Sequence, residues 1–363
     1  MNTPIYVYDS REITERAKEI ISVHKGHRVY YSLKSNSNKE VLRILSNIKG
    51  IEAEVCSTGE LDLSIEVGFD SGKIIFGGPG KTKLDIEYAI NKGVTSFSIE
   101  SINELKMLNS VEKFFDVKLN KILRIYVNNN DSAKLNMMKP DSKFGISIEE
   151  LKDNEELIND IFGLHFYFGT QFQQEQAHKV NVNKINELVL EIEDVLKRKI
   201  SYVNYGGGLE WPYMKEGSKK IENTPINTLD RVVTAFEYGR YLVASSGTLY
   251  TTVVDVKFRD KKQIVVLDAG IHTIAGVSAS GRLFKPKVTF NIMNHNNRHA
   301  ECIETAIYGP LCTPLDYFTL SIKLPIVEVG DIISIPNVGA YGFATGIQQF
   351  LKRNICSEVI NYE

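Results

Sequence analysis

Three short runs in this 363-residue chain carry side chains that could act together. Lys34 follows a strand-like apolar stretch in Tyr30-Tyr-Ser-Leu-Lys-Ser-Asn36. A lysine at the edge of an apolar interior is poorly solvated, so its pKa falls and its neutral amine can form an imine with a carbonyl. A lone lysine of this kind is more often a solvated loop residue. Tyr205-Gly206-Gly207-Gly208 offers three glycines, which let backbone N–H groups approach an anion closely. A flexible turn is the commoner reading of such a run. In Glu237-Tyr238-Gly239-Arg240, a carboxylate suited to a basic ring nitrogen precedes an arginine suited to a phosphate. Seen alone, that pair is an ordinary solvated ion pair.

Such groups act together only if secondary structure brings them to one place. Apolar, β-branched and aromatic runs recur at 28–33, 50–55, 73–76, 95–99, 121–127, 161–168, 200–203 and 232–236. Helical periodicity lies between them at 38–48, 60–67, 83–91, 102–108 and 184–196. Strand and helix alternating about eight times predict an α/β fold, a (β/α)8 TIM barrel over 10–249. An open doubly wound sheet would give a similar alternation. In a barrel, the segments after the first, seventh and eighth strands share one face, and these carry Lys34, the three glycines and Glu237 with Arg240. Beyond Leu249, runs at 250–258, 263–267, 282–292, 301–307 and 331–335 are separated by Gly, Pro and Asn rather than helices. They predict a mainly antiparallel β-barrel or sandwich domain over 250–363, with residues 1–9 pairing into it through Ile5-Tyr-Val-Tyr8.

Composition narrows the class. With 43% hydrophobic and 24% charged residues, a wholly disordered chain is excluded. The 43 basic and 45 acidic residues argue against a dedicated nucleic-acid binder. Cys56, Cys302, Cys312 and Cys356 form neither a CxxC pair nor a disulfide framework. No signal-like segment and no membrane-length apolar run is present, so a reduced, cytoplasmic protein without membrane contact is expected.

An imine-forming lysine, a glycine-rich anion loop and a Glu/Arg pair are together what pyridoxal 5'-phosphate requires of a protein. The chain resembles the fold-type III pyridoxal-phosphate family: diaminopimelate and ornithine decarboxylases, with alanine racemase as a distant relative. The resemblance is carried by Tyr31-Ser-Leu-Lys34, Glu54-Val-Cys-Ser-Thr-Gly-Glu-Leu61, Gly78-Pro-Gly-Lys-Thr82, Ser142-Lys-Phe-Gly145 and Gly163-Leu-His-Phe-Tyr-Phe-Gly-Thr-Gln171. It continues through Gly206-Gly-Gly208, Glu237-Tyr-Gly-Arg240, Tyr308-Gly-Pro-Leu-Cys-Thr-Pro-Leu-Asp316 and Gly339-Ala-Tyr-Gly342. It implies that Lys34 carries the cofactor and that Glu237 pairs with its ring nitrogen. Arg240, Tyr341 and the backbone of Gly206, Gly207 and Gly208 would hold the phosphate, with Gly239 between Glu237 and Arg240. Glu54, His165, Tyr167 and Thr170 would lie against the cofactor. Cys312 would enter from the partner subunit of a homodimer and protonate the carbon that loses CO2, with Thr313 and Asp316 beside the substrate.

Glu237 favours an amino-acid decarboxylase, because racemases of this fold place an arginine at the ring nitrogen, which weakens the ring as an electron sink. An amino-acid racemase or epimerase and a non-catalytic pyridoxal-phosphate-binding protein are the competing readings. The resemblance has departures. The usual Glu-Pro-Gly-Arg is Glu-Tyr-Gly-Arg here, and the histidine that stacks on the ring is Tyr167. The acid that follows the cysteine and reads a distal amine is Thr313. The Cys-Thr-Pro-Leu-Asp variant resembles members of specialised siderophore, antibiotic or carrier-linked biosynthesis. If a distal ammonium is read by another acid, Glu210 and Asp268 are the candidates. His24 and His27 form an HxxH pair without further ligands and are expected in a surface loop. Asn294-His-Asn-Asn-Arg-His299 is expected to be a polar loop between strands. No metal site is expected.

Overall fold

The computed structural model describes residues 2–127, 141–274, 287–293 and 301–363, and the backbone of 135–136. The expected polar loop 294–299 and residues 282–286 of the expected run 282–292 lie outside these residues. The chain divides into two compact units. One comprises Thr14–Glu210 and Lys220–Leu242; the other comprises Met1–Ile13, Trp211–Lys219 and Val243–Glu363.

The first unit is a closed barrel of eight parallel strands, so the open doubly wound alternative is excluded. In chain order the strands are Arg28–Ser32, Ile51–Val55, Ile75–Phe76, Ser96–Ile99, Asn120–Arg124, Gly163–His165, Tyr202–Gly207 and Val233–Tyr238. Closure comes from pairing of the eighth strand with the first, with Glu237 opposite Tyr30. Polar N-caps start the intervening helices close to the strand ends. The Asn38 side chain accepts from the N–H groups of Glu40 and Val41, and the Ser57 and Ser101 side chains accept from Glu60 and Glu104. Thr82 with Asp85 forms a capping box. Each such cap is worth about 1 kcal/mol, and together they keep the loops above the strands short.

Side-chain alternation divides the barrel interior into two levels. Tyr30, Ile75, Ile122, Tyr202 and Ala235 form a buried apolar plug, with Phe162 packed against it. Two residues further along the same strands, the inward positions turn polar.

The second unit is a mainly antiparallel sheet. Its long strand Gly247–Arg259 pairs antiparallel with Lys262–Leu267, Ile332–Ile335 and the N-terminal strand Ile5–Asp9. Ile5–Asp9 also pairs in parallel with the terminal strand Ser357–Asn361. That strand, the strand Tyr317–Pro325 and the helix Ser10–Val23 were not among the expected elements. The segment Trp211–Lys219 belongs to this unit because Trp211 Nε1 donates to Asn337 Oδ1 at 2.8 Å and Asn337 Nδ2 donates to the Lys215 and Gly217 carbonyls.

Candidate active site

The barrel mouth carries an inward-facing residue from each strand: Ser32, Glu54, Gly77, Ser98, Arg124, His165, Asn204 and Glu237. Every polar member is buried, and contacts join Ser32 to Glu54 and link Ser98, His165, Glu237 and Asn204 in a chain. Ser32 hydrogen-bonds Glu54. A side chain on Gly77 would meet Glu54 Oε1 and Ser98. Ser98 Oγ lies 2.8 Å from His165 Nδ1, and His165 Nε2 lies 3.4 Å from Glu237 Oε1. Asn204 Nδ2 donates to Glu237 Oε1 at 2.8 Å.

Lys34 follows the first strand in the short turn Leu33–Ser35, and its Nζ donates to both oxygens of Glu54 at 2.8 and 2.9 Å. Its side chain remains 44% exposed, so the amine is reachable. Burial alone would raise the Glu54 pKa, but the Lys34 charge and hydrogen bonds from Lys34, Ser32 and Cys56 outweigh it and hold the acid below its ordinary range. Cys56 donates its thiol to Glu54 Oε1 at 3.0 Å. Burial and the Glu54 charge push the Cys56 pKa upward, so it stays a thiol.

Glu237 differs from Glu54. Burial and the Glu54 charge raise its pKa to about 7, against the opposing pull of Lys34, Asn204 and Arg124. Two carboxyls in one mouth are thus driven apart, one ionised beside Lys34 and one near its protonation midpoint at neutral pH. Burial, then the nearby Arg124 charge, lower the His165 pKa well below its ordinary value, so this imidazole is neutral. Arg124 pairs with Glu100 at 2.7 Å, and its guanidinium lies 4.5 Å from the Phe144 ring centre and 5.6 Å from that of Tyr167. Glu100 also accepts the Gly145 N–H, which ties down the Ser142-Lys-Phe-Gly145 motif.

The glycine turn is sterically required. Gly206 and Gly208 have φ of +68° and +95°. A Cβ on Gly206, Gly207 or Gly208 would lie 2.3, 1.8 or 2.3 Å from the carbonyl oxygens of Phe166, Glu237 and Gly169, respectively. Asn204 links this turn to the acid, because its Oδ1 accepts the Gly206 N–H at 2.9 Å while its Nδ2 holds Glu237. Gly239 allows the segment that leads to Arg240 to lie against the Lys34 turn: a Cβ there would meet Ser35 Cβ at 2.9 Å. Arg240 is half-buried and opens the helical turn Arg240–Val243. Thr170 lies on the short strand Gly169–Thr170, which pairs with Leu135–Asn136.

Lys34, Glu54, His165, Tyr167, Gly206, Gly207, Gly208, Glu237, Gly239 and Arg240 therefore belong to one unit, and most are linked by direct contacts. Sequence reading missed Asn204, Ser98 and Arg124. Arg124 and Asn204 lie two positions after the plug residues Ile122 and Tyr202, and that phase is the signal that could have found them; Ser98 follows a buried serine, Ser96, and carries no such signal.

Cys312, Thr313, Asp316 and Tyr341 belong to the other unit. The Cys312 thiol is free and exposed. Tyr341 adopts φ of +60°, a costly backbone conformation for a tyrosine and one that clusters at functional loops.

Two acids singled out in the sequence have backbone and side-chain partners within their own unit, and one expectation is corrected. Asp316 is only 1% exposed, and its oxygens accept the N–H groups of Ile271 and Leu311, both at 2.8 Å. It shapes the turn before Cys312. Asp268 accepts from the Thr3 and Thr251 hydroxyls and the Thr252 N–H, so its carboxylate is engaged within its sheet. His24 is not in a surface loop. It is 1% exposed and bonded to Tyr238, because the helix Ser10–Val23 turns it inward.

Residues 10–251 match the family model described as pyridoxal-dependent decarboxylase, pyridoxal binding domain. A diaminopimelate decarboxylase from Bacteroides thetaiotaomicron is 27% identical, over 94% of this chain and 91% of the relative. The L-glutamyl-[BtrI acyl-carrier protein] decarboxylase of Niallia circulans is 26% identical, over 99% of this chain and 88% of the relative. The crystal structure of M. jannaschii diaminopimelate decarboxylase in complex with L-lysine is similar, with a TM-score of 0.85 and 27% identity over 99% of this chain and 87% of that one.

Proposed function

The chain belongs to the pyridoxal-dependent decarboxylase family, and from that premise we propose that it removes the α-carboxylate of an amino acid whose far end is neutral or joined to a larger carrier. It is a pyridoxal 5'-phosphate-dependent amino-acid decarboxylase.

The mouth fits that cofactor. It offers a reachable primary amine on Lys34, a buried carboxyl titrating near neutrality on Glu237, and a glycine turn too tight for any side chain. Buried His165 Nε2 also lacks a hydrogen-bond partner among the described residues, which leaves it available to a polar group. When bound, pyridoxal phosphate supplies an electron sink for the pair released with CO2.

The chain's own residues do the rest. Lys34 holds the cofactor covalently, and Glu54 fixes its Nζ. Glu237 keeps a proton at the ring nitrogen, a role the racemase arginine cannot fill. The Gly206, Gly207 and Gly208 backbone, Arg240 and Tyr341 bind the phosphate. Tyr167, whose face lies toward the Arg124 guanidinium, and Thr170 line the cofactor. Cys312 Sγ, supplied by the second subunit of a homodimer, delivers a proton to the α-carbon.

The observation that carries the substrate reading is Thr313 directly after Cys312. A hydroxyl cannot neutralise a distal ammonium, and a buried ammonium without a counter-ion costs several kcal/mol. Asp268, the other candidate acid in that unit, is already engaged. The carrier-linked substrate named for the Niallia circulans relative illustrates the class and supports the reading of a role in specialised biosynthesis. The test compares kcat/KM for free ornithine, lysine and meso-diaminopimelate with that for a glutamyl thioester on a carrier or a pantetheine arm. The conjugate should be preferred by at least about a hundredfold; a free diamino acid at about 10⁴ M⁻¹s⁻¹ or more would refute the proposal.

A further inference from the structure

Tyr238 sits between Glu237 and Gly239, inside the segment read above as cofactor-binding. Strand alternation turns Glu237 into the barrel and sends Tyr238 outward, under the helical layer. There its ring is 2% exposed. Its hydroxyl meets His24 Nε2 at 2.5 Å and His178 Nε2 at 2.8 Å. His24 directly follows the helix Ser10–Val23, and His178 lies in the π-helical turn Gln176–Val180 that leads into the helix Asn181–Leu196. The two imidazoles pack edge to face with centres 5.2 Å apart, and His24 lies 4.1 Å from the Phe236 ring.

The chemistry of this line of three groups is constrained. A phenol gives one proton and accepts through oxygen, so one neutral imidazole can take its proton while the other donates an N–H to its oxygen. Nδ1 of both rings lacks a partner among the described residues, so the hydrogen bonding of each ring runs through Tyr238. Both rings are neutral at ordinary pH. Burial brings His178 to about 4, and burial with the His178 and His27 charges places His24 well below its ordinary value. The other titratable groups facing the line are His27, itself lowered by burial, and Tyr241.

We propose that Tyr238 is a positioning residue: the buried His24–Tyr238–His178 bridge ties the end of the eighth strand to two separate helices and thereby fixes Glu237 and Arg240 for the cofactor. The resembled enzymes have proline here, whose ring restrains the backbone directly. In this chain the restraint comes through a hydroxyl. The inference rests on Glu237 and Arg240 being cofactor residues.

The test titrates pyridoxal phosphate into apo protein by absorbance and compares apo and loaded melting temperatures. Borohydride reduction of the wild-type protein must first trap the cofactor on Lys34; trapping elsewhere, or none, overturns both this inference and the site reading. Given trapping on Lys34, Tyr238→Phe keeps the ring and should weaken pyridoxal phosphate binding about tenfold, the effect of one lost buried hydrogen-bonded group. His178→Leu should do the same, His178→Gln should stay within about threefold of wild type, and the double variant Tyr238→Phe/His178→Leu should be little worse than either single change. The bridge predicts a smaller rise in melting temperature on adding cofactor to Tyr238→Phe. A purely structural tyrosine would lower the apo and loaded melting temperatures equally and leave affinity within twofold, and that result overturns the proposal. If Tyr238→Phe does not fold, His178→Leu against His178→Gln decides in the same way.

Discussion

Asn204 is the residue whose replacement tests the site geometry most directly. It is fully buried and makes two hydrogen bonds, one to Glu237 Oε1 at 2.8 Å and one from the Gly206 N–H at 2.9 Å. Asn204→Ala removes the donor to a carboxyl, a bond worth about 1.5–3 kcal/mol when the acid is ionised, and strands a buried N–H at about 1–3 kcal/mol. Since the effects overlap, a loss of about 2–4 kcal/mol in apo stability is expected. The Asn204 hydrogen bond also pulls the Glu237 pKa down, so without it that pKa should rise above about 7. Asn204→Asp separates the two bonds: it retains an acceptor for Gly206 but turns a like charge toward Glu237. Its stability deficit should therefore be larger at pH 8 than at pH 5, whereas that of Asn204→Ala should vary less. Urea unfolding at both pH values measures this, and pyridoxal phosphate titration should show at least about tenfold weaker binding for Asn204→Ala. An Asn204→Ala protein within 1 kcal/mol of wild type, with unchanged cofactor affinity, would show that Asn204 does not couple the acid to the glycine turn.

Glu237 gives a prediction about pH. Its folded pKa is raised to about 7 from an ordinary 4.5, so its stabilising contribution is full below about pH 4.5 and is lost as pH rises through about 7. Apo Glu237→Gln should therefore gain on wild type between pH 5 and pH 8 in urea unfolding; a pH-independent difference would contradict the assigned pKa. Glu54 has the opposite sign: its pKa is lowered, so its contribution is present above about pH 4.5 and is lost as pH falls toward its folded pKa. Glu54→Gln should thus cost least at the most acid pH at which the protein still folds, and a larger cost there would count against the Lys34–Glu54 pair. Finally, inactive Lys34→Ala and Cys312→Ala subunits, once exchanged at equal amounts, should recover up to about a quarter of wild-type activity, because half the dimers would hold one intact site. No recovery after demonstrated exchange would refute a shared site.

The barrel was legible because all eight of its strands are short apolar runs separated by helical periodicity, and the N-capping residues that begin the helices stand in the sequence. The helix Ser10–Val23 does carry a helical period, with Ile13, Ala17 and Ile20 at i, i+4 and i+7, but it precedes the first barrel strand and so falls outside the strand–helix alternation. Without that helix His24 looks solvated, since an HxxH pair has no visible context until a helix places it against Tyr238. The strands Tyr317–Pro325 and Ser357–Asn361 carry exposed polar and apolar residues alike, and edge or terminal strands supply little alternation to read. Lys34, Glu237 and the glycines stand out because their types announce chemistry, whereas Glu54 enters only through the family resemblance. Ser98 and Asn204 do not stand out, since a serine or asparagine near a strand end is ordinary, and only for Asn204 does the phase add a signal.

That phase also explains why the two acids behave differently. Tyr30, Tyr202 and Ala235 fill the barrel two residues before the polar level of their strands, and both carboxyls are buried. Glu54 is deep, but it meets the Lys34 ammonium at its own edge of the mouth. Glu237 directly meets an amide and a neutral imidazole, and burial with the Glu54 charge outweighs the downward pull of Lys34, Asn204 and Arg124. The plug thus raises both acids, and the lysine rescues only one. An acid left near its midpoint at neutral pH is the group needed opposite a basic ring nitrogen, where it can give up its proton without the cost of creating an isolated charge. A one-residue slip of the eighth strand would put Tyr238 into the mouth and Glu237 under the helices. The same alternation that turns Glu237 into the barrel mouth therefore buries Tyr238 between His24 and His178, and the two faces of that strand are fixed by one register.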